Sequence, residues 1–420
     1  MKPKILSTLP GYGWQAFMAD LFAGVTVAMV ALPLSLAIAI ASGAPPATGL
    51  VTAIVGGFLI SALGGSRVQI GGPTGAFIVV VYAVIHDHGL DGLVLATLMA
   101  GIILLLAAFL KAGSLIRHVP EAVINGFTVG IGIIIATSQL RDFFGLETAP
   151  LPADFLEKLP LLWAARETMN PAALGVALAS LVLITVARRL APRLPGLIVV
   201  MALASAVVVL WQLPVETIES RFGALPRSLP SPHLPEISRA LILELLPSAL
   251  VIAFLAGIES LLSAVVADRM IEGAHRPNAE IAAQGWANLG SALFGGLPAT
   301  GAIARTATNV KAGGRTPVAG IIHAFVILLV MLVAAPLAGR IALPALAALL
   351  VLTAWNMTEP HRWREWMRGR PSDRFLLLLT LVLTVVADLA VAIGVGVAVG
   401  LAIRLARRHV PDAPWQPPEH

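Results

Sequence analysis

SALGGSRVQIGGPTGAF (Ser61–Phe77) and SALFGGLPATGAIAR (Ser291–Arg305) decide how this chain is read. Each opens on Ser-Ala-Leu and passes through Gly-Gly. The first returns to apolar sequence as Pro73-Thr74-Gly75-Ala76-Phe77, the second as Pro298-Ala299-Thr300-Gly301-Ala302-Ile303. Glycine and proline at this density end one helix and start another. The segments that follow, 74 to 86 and 301 to 310, are too short or too polar to cross a bilayer unaided, so helices starting there begin inside the membrane. The two short helices read as copies of one another.

The surroundings are consistent with a bilayer as solvent. Of 420 residues, 58% are hydrophobic and 12% charged, mean hydropathy is +0.89, and apolar runs continue from Leu21 almost to Leu405, so no separate soluble domain fits. At about 20 residues per span, membrane segments fall at 21–41, 47–64, 74–86, 91–110, 121–140, 171–187, 195–212, 245–267, 279–295, 301–310, 317–337, 341–357, 374–391 and 393–406. The expected fold is an all-α integral membrane protein of fourteen segments. The duplicated breaks lie in the third and tenth, seven spans apart, and an odd separation makes the halves a seven-plus-seven inverted repeat.

With both termini cytoplasmic, Lys and Arg gather in cytoplasmic loops, for example Lys2, Lys4, Arg188, Arg189, Arg362 and Arg364. The opposite side receives only Arg141, Lys158, Arg166, Arg221, Arg227, Arg239 and Arg340. This asymmetry follows the positive-inside rule and accounts for the net charge of +5 without a nucleic-acid partner. Absence of cysteine excludes disulfides and thiol chemistry. The start, MKPKILSTLPGYGW, lacks a signal-cleavage pattern. No Gly-x-Ser-x-Gly elbow or HExxH motif points to an enzyme, and no cofactor or metal is expected. His86-Asp87-His88 reads as a solvated loop, His323 as a satisfied packing residue, and Glu121, Asp268 and Asp388 as solvated span ends. Residues 225–238 read as an external linker and 411–420 as a frayed tail.

A helix that starts in the membrane presents unpaired N–H groups and about half a positive charge. Two such starts facing each other make an anion site, with Thr74, Gly75, Ala76 and Phe77 on one side and Gly301, Ala302, Ile303 and Ala304 on the other. Arg305, one turn into the second short helix, either faces that site or bonds backbone carbonyls. Glu259 is the carboxylate nearest the centre of a long apolar span, with Ser263 one turn on. A carboxyl there is cheaper to keep protonated than charged, which marks Glu259 for proton coupling.

The sequence resembles the sulfate permease family. The resemblance lies in LPLSLAIAIASGAPPATGL, in GGSRVQIGGPTGAF, and in NAEIAAQGWANLGSALFGGLPATGAIARTATNVKAGGRTPVAGI, and extends over essentially the whole chain. It implies the nucleobase-transporter-like fold, with a core (about 15–112 and 243–338) and a gate (about 113–242 and 339–410). Substrate would lie between spans 3 and 10. Relatives often place Gln near the ligand after the first-span proline; here Leu34 and Ser35 follow Pro33. Sodium-using relatives pair an eighth-span acid with hydroxyls there and on span 10. Ile303 stands where the second hydroxyl is expected, which favours protons over sodium.

The expected protein is therefore a secondary carrier of bicarbonate, sulfate or a small dicarboxylate in a bacterial inner membrane, working by an elevator-like movement. A sodium symporter, an exchanger or channel, and a nucleobase carrier are the alternatives. The C-terminal STAS domain of most relatives, which would aid a homodimer, is not expected in this chain.

Overall fold

A computed structural model describes residues 2–111, 113, 120–149, 151–190, 196–387 and 389–406. Arg117, Arg193, Asp388, Arg407, Arg408 and the tail at 411–420 lie outside the described residues. The apolar runs are helical, as a medium without water requires of backbone that must pair with itself. Among the described residues, seven helical segments are long and apolar enough to span a bilayer: Trp14–Ala41, Pro46–Leu63, Gly75–Phe109, Glu121–Phe144, Pro171–Leu190, Arg239–Ile271 and Val318–Gly339. Gly196–Leu210, Leu343–Met357 and Leu389–Leu405 are shorter apolar helices.

The helices pack in two groups. Pro277–Leu293 and Arg239–Ile271 lie against Ile78–Phe109, and Val318–Gly339 against Trp14–Ala41. Separately, Pro371–Val386 and Leu343–Met357 lie against Glu121–Ser138. The groups meet where Leu343–Met357 and Gly196–Leu210 touch Trp14–Ala41, and where Leu389–Ala406 touches Arg239–Ile271.

One non-helical pairing organises the first group. Gly71–Gly72 and Thr300–Gly301 form an antiparallel two-residue ladder, with Gly71 opposite Gly301 and Gly72 opposite Thr300. The Ala302 amide extends it by donating to the Ile70 carbonyl (2.9 Å). Side chains hold the ladder in place. Asn288 clasps the Ala299 backbone through both its amide atoms (2.8 and 3.0 Å), and Asn309 donates to the Val68 carbonyl (2.7 Å). Fully buried Glu280 accepts from the Gly65 and Ser66 amides (2.8 and 3.1 Å), from Gln284 and from Ser260. Glu280, Gln284 and Asn288 recur at i, i+4, i+8, one polar stripe on one helix face.

At the other end of Trp14–Ala41, buried Asp20 accepts from the Arg315 and Thr316 amides (2.7 and 3.1 Å) and from the Tyr12 hydroxyl (3.0 Å). It thereby fixes the Gly-Gly-Arg-Thr-Pro turn that starts the helix Val318–Gly339. Burial, and then the bond to Asp20, push the Tyr12 phenol up to about 12.

Several expectations need correction. Segments 74–86 and 91–110 are joined by a single break at Gly89 (φ 69°), where a side chain would be strained. His86-Asp87-His88 therefore sits on the end of a helix and is not a loop. Glu121 and Asp268 are not simply solvated: Glu121 pairs with Arg362 (3.1 Å) and Asp268 with His275 (2.6 Å). Short helices at Phe155–Ala164, Ile218–Phe222 and Trp363–Arg368 had no counterpart in the apolar pattern. Residues 225–238 carry no helix or strand.

The ladder predicts where glycine is indispensable. A Cβ on Gly301 would overlap the Gln69 amide, and one on Gly72 (φ 151°) would overlap the Arg305 guanidinium. Gly301→Ala and Gly72→Ala should each cost roughly 1–3 kcal/mol by overpacking, seen as a lowered melting temperature in size-exclusion thermostability assays. Gly175→Ala, with open space around its Cβ position, should melt at the native temperature or slightly above it.

Candidate functional site

The ladder brings the two helix starts together. Thr74 is extended (φ −128°, ψ 159°) and leads into a 3-10 turn, Gly75–Phe77, that continues as Ile78–Phe109. Ala302 is likewise extended (φ −105°, ψ 116°) and leads into Ile303–Lys311. Neither Thr74 nor Ala302 caps its helix with a side chain. The first-turn amides are thus left for another acceptor.

A cavity of about 1220 Å³ lies against both starts. Leu34, Thr74, Gly75, Ala76, Glu259, Ala302, Ile303, Ala304 and Arg305 border it from the first helix group, and Phe127, Thr128, Leu349 and Thr353 from the second. A Cβ on Gly75 would touch Met357 and Ile135 of the second group. At its far end the cavity reaches Arg188, Lys311, Glu359 and His361. Four of the residues singled out in the sequence do not reach its wall: Ser35, Phe77, Gly301 and Ser263. Phe77 and Gly301 are packed inside, Phe77 being 2% exposed and Gly301 buried against Gln69.

Within the site, the Thr74 hydroxyl donates to a Glu259 carboxylate oxygen (2.8 Å). Ser263, the expected companion of Glu259, is instead bonded to the Thr306 hydroxyl (3.1 Å), and Thr306 also accepts from the Ile70 amide. Thr306, three residues beyond Ile303 in the helix Ile303–Lys311, is fully buried. Of the two readings open for Arg305, the carbonyl-bonded one describes the geometry. Arg305 borders the cavity yet is 1% exposed, and its guanidinium donates to the Pro73 carbonyl (3.0 Å) and the Ser35 hydroxyl (3.1 Å) and approaches the Gly71 carbonyl (3.5 Å). Its charge is held directly behind the first helix start. His323 is fully buried, but among the described residues neither ring nitrogen has a hydrogen-bond partner, so it is not the satisfied packing residue expected.

At the far end, Arg362 donates to Glu121 (3.1 Å) and Glu359 (3.2 Å) and lies over the Trp366 ring (5.5 Å). Burial pushes the Glu359 carboxyl up, and Arg362 opposes that rise. The same carboxylates outweigh the burial of Arg362 and hold its pKa above the usual value.

A site of backbone amides and one buried cation, open to a cavity, suits a small anion. The sulfate permease family model matches residues 17–380. This chain belongs to the sulfate permease family. YvdB of Bacillus subtilis is 43% identical over 371 residues, which cover 88% of this chain and 70% of that protein. The bicarbonate transporter BicA of Picosynechococcus is 34% identical over 343 residues, 79% of this chain. The match spans 60% of that transporter's length. Among solved structures, the transmembrane domain of a cyanobacterial BicA superposes with a TM-score of 0.81 at 30% identity, covering 93% of this chain and 98% of that one. The murine anion transporter Slc26a9, at 19% identity and a TM-score of 0.87, shares the fold. As a family member the chain is a multi-pass membrane protein, and the expected all-α membrane architecture holds at that level.

The Arg305 geometry carries a stability prediction. Arg305→Ala removes charged donors from the Pro73 carbonyl and the Ser35 hydroxyl and should cost roughly 1.5–3 kcal/mol per bond lost. Arg305→Lys, with a single ammonium, should recover part of this. Melting temperatures of the purified variants in detergent test the order native, Lys, Ala.

Proposed function

We propose that this protein carries a small anion of the bicarbonate, sulfate or dicarboxylate class across the membrane, and that the anion binds between the Thr74–Ala76 and Ala302–Ala304 backbones. The observation that carries this reading is the convergence of two uncapped helix starts on one cavity, with the Arg305 cation behind them. The names of the relatives support the substrate class: one is a bicarbonate transporter, and a bovine family member, 29% identical, is a sodium-independent sulfate anion transporter. The small residues at these positions let an oxyanion approach the amides, and the helix dipoles and Arg305 offset part of its charge.

Fourteen membrane segments in two inverted sevens, with both termini cytoplasmic, remain our assignment. Under it, Glu121, Arg188, Lys311 and Glu359 stand at cytoplasmic ends, so the cavity opens inward. The binding elements all belong to the first helix group, the core, and the second group supplies the facing wall. Transport then takes the form of an elevator-like displacement of core against gate. Gly75 supports this, because its missing side chain leaves room beside Met357 and Ile135 of the gate.

Coupling is assigned to Glu259. Its carboxyl accepts from Thr74, the residue that starts the first short helix, so a proton on Glu259 and an anion at Thr74–Ala76 sense each other directly. A proton entering with the anion cancels charge that would otherwise move against an interior-negative potential, at about 2.3 kcal/mol per charge per 100 mV.

Purified protein in liposomes should take up labelled bicarbonate or sulfate faster under an inward proton gradient, and a sodium gradient at fixed pH should have no effect. Glu259→Gln should lose gradient-driven accumulation while keeping anion exchange, since the neutral amide mimics the protonated acid. Accumulation by Glu259→Gln under a proton gradient would remove the coupling assignment, and sodium-driven uptake would replace it with a sodium symporter. Separately, Gly75→Val should abolish uptake, because its side chain would press on Met357 and Ile135 beside the helix start, and labelled-anion uptake by the purified variant in liposomes checks it.

A further inference from the structure

The external segment between Glu121–Ser138 and Pro171–Leu190 folds into a short helix, Phe155–Ala164, that packs on Glu121–Ser138 and Pro371–Val386 of the gate. Asp154 caps it, accepting from the Leu156 and Glu157 amides (2.7 and 3.2 Å). Its buried face carries Leu162, 6% exposed, and one turn before it Lys158, 3% exposed. A lysine where the pattern calls for an apolar residue is a local conflict that a sequence keeps only for a compensating contact.

That contact reaches across to the core. The Lys158 ammonium lies over the ring of Tyr82, 5.3 Å from its centroid, within the range of a cation–π interaction. No carboxylate stands within ion-pair distance of Lys158 among the described residues. The Tyr82 hydroxyl donates to the Leu151 carbonyl of the same external segment (2.5 Å). A Cβ on Gly43, in the turn between the first two helices, would meet the Tyr82 ring at 3.3 Å. Tyr82 belongs to the helix that starts at Thr74 and lies two turns from the anion site. Burial pushes the Lys158 amine down, with Asp154 opposing, so the ammonium is held at a cost that the aromatic face offsets.

We infer that Lys158 and Tyr82 form the outer seal of the transport path, a contact between gate and core that closes the external side in this conformer and parts when the core moves. The inference rests on the transport reading above. It gives the external segment a role in setting which face of the membrane the anion site meets, through a contact that an outward displacement of Tyr82 must break.

The seal can be read chemically. The chain has five lysines, Lys2, Lys4, Lys111, Lys158 and Lys311, and only Lys158 is assigned to the external side. Intact cells expressing the protein, treated with a membrane-impermeant sulfonated succinimidyl ester, should therefore be modified at Lys158 alone, and slowly. Tyr82→Ala should raise that rate about tenfold, the scale of one lost cation–π contact. Tyr82→Leu, which keeps most of the packing volume, tests the same point if the alanine variant fails to fold. Tyr82→Phe, which keeps the ring, should stay near the native rate. Sulfate and bicarbonate uptake into liposomes is measured on the same proteins. If native protein transports either anion but Lys158 reacts equally fast in native, Tyr82→Ala and Tyr82→Leu forms, the seal is overturned and transport stands. If neither anion is taken up, the transport reading falls, and the seal falls with it.

Discussion

Everything proposed for this protein depends on two residues of antiparallel pairing, Gly71–Gly72 against Thr300–Gly301. A helix that starts inside a bilayer leaves backbone groups that no water can satisfy. Here each break pairs with the other, and the hydrogen bonds that would be missing at Ile70–Gly72 are made by Thr300–Ala302. The solution is self-consistent because both breaks have the same chemistry, extended Gly-rich chain followed by a helix start without a side-chain cap. Glu280, Asn288 and Asn309 fix the flanks, so the arrangement is a rigid buried unit and not a pair of kinks.

Electrostatics follow from that unit. Arg305 is buried with backbone carbonyls and a serine as partners, and Glu259 is bonded to Thr74. The cation stands behind the helix starts and the acid beside them, so neither occupies the space in front of the amides. In the proposed reading this separates binding, assigned to the backbone, from coupling, assigned to a titratable side chain. In that reading an oxyanion oxygen would meet N–H donors in the cavity, while the charges modulate the potential from the side.

Much of this was legible in the sequence because it repeats. The Ser-Ala-Leu…Gly-Gly…Pro signature occurs twice, and only a paired structural role explains a paired break. Glu259 stood out as a lone acid in an apolar run. The ladder itself was not legible, since two-residue strands have no periodicity to detect. Partners were harder still: Thr306 as the companion of Ser263, and Ser35 as an acceptor for Arg305, depend on helix rotation that hydropathy does not encode. The polar stripe Glu280-Gln284-Asn288 was visible at i, i+4 spacing and could have marked the support of the site. The buried Lys158 was hidden because a surface loop of that composition gives no helical signal beyond its Asp154 cap.

The central claim is that the anion sits between the two helix starts, and an electron cryomicroscopy structure with saturating bicarbonate or sulfate tests it most directly. The account predicts anion density within hydrogen-bond reach of the Gly75 or Ala76 amide on one side and the Ile303 or Ala304 amide on the other, with Glu259 adjacent. Density held instead by Arg188 and Lys311 at the far end of the cavity, with the helix starts unoccupied, would contradict it.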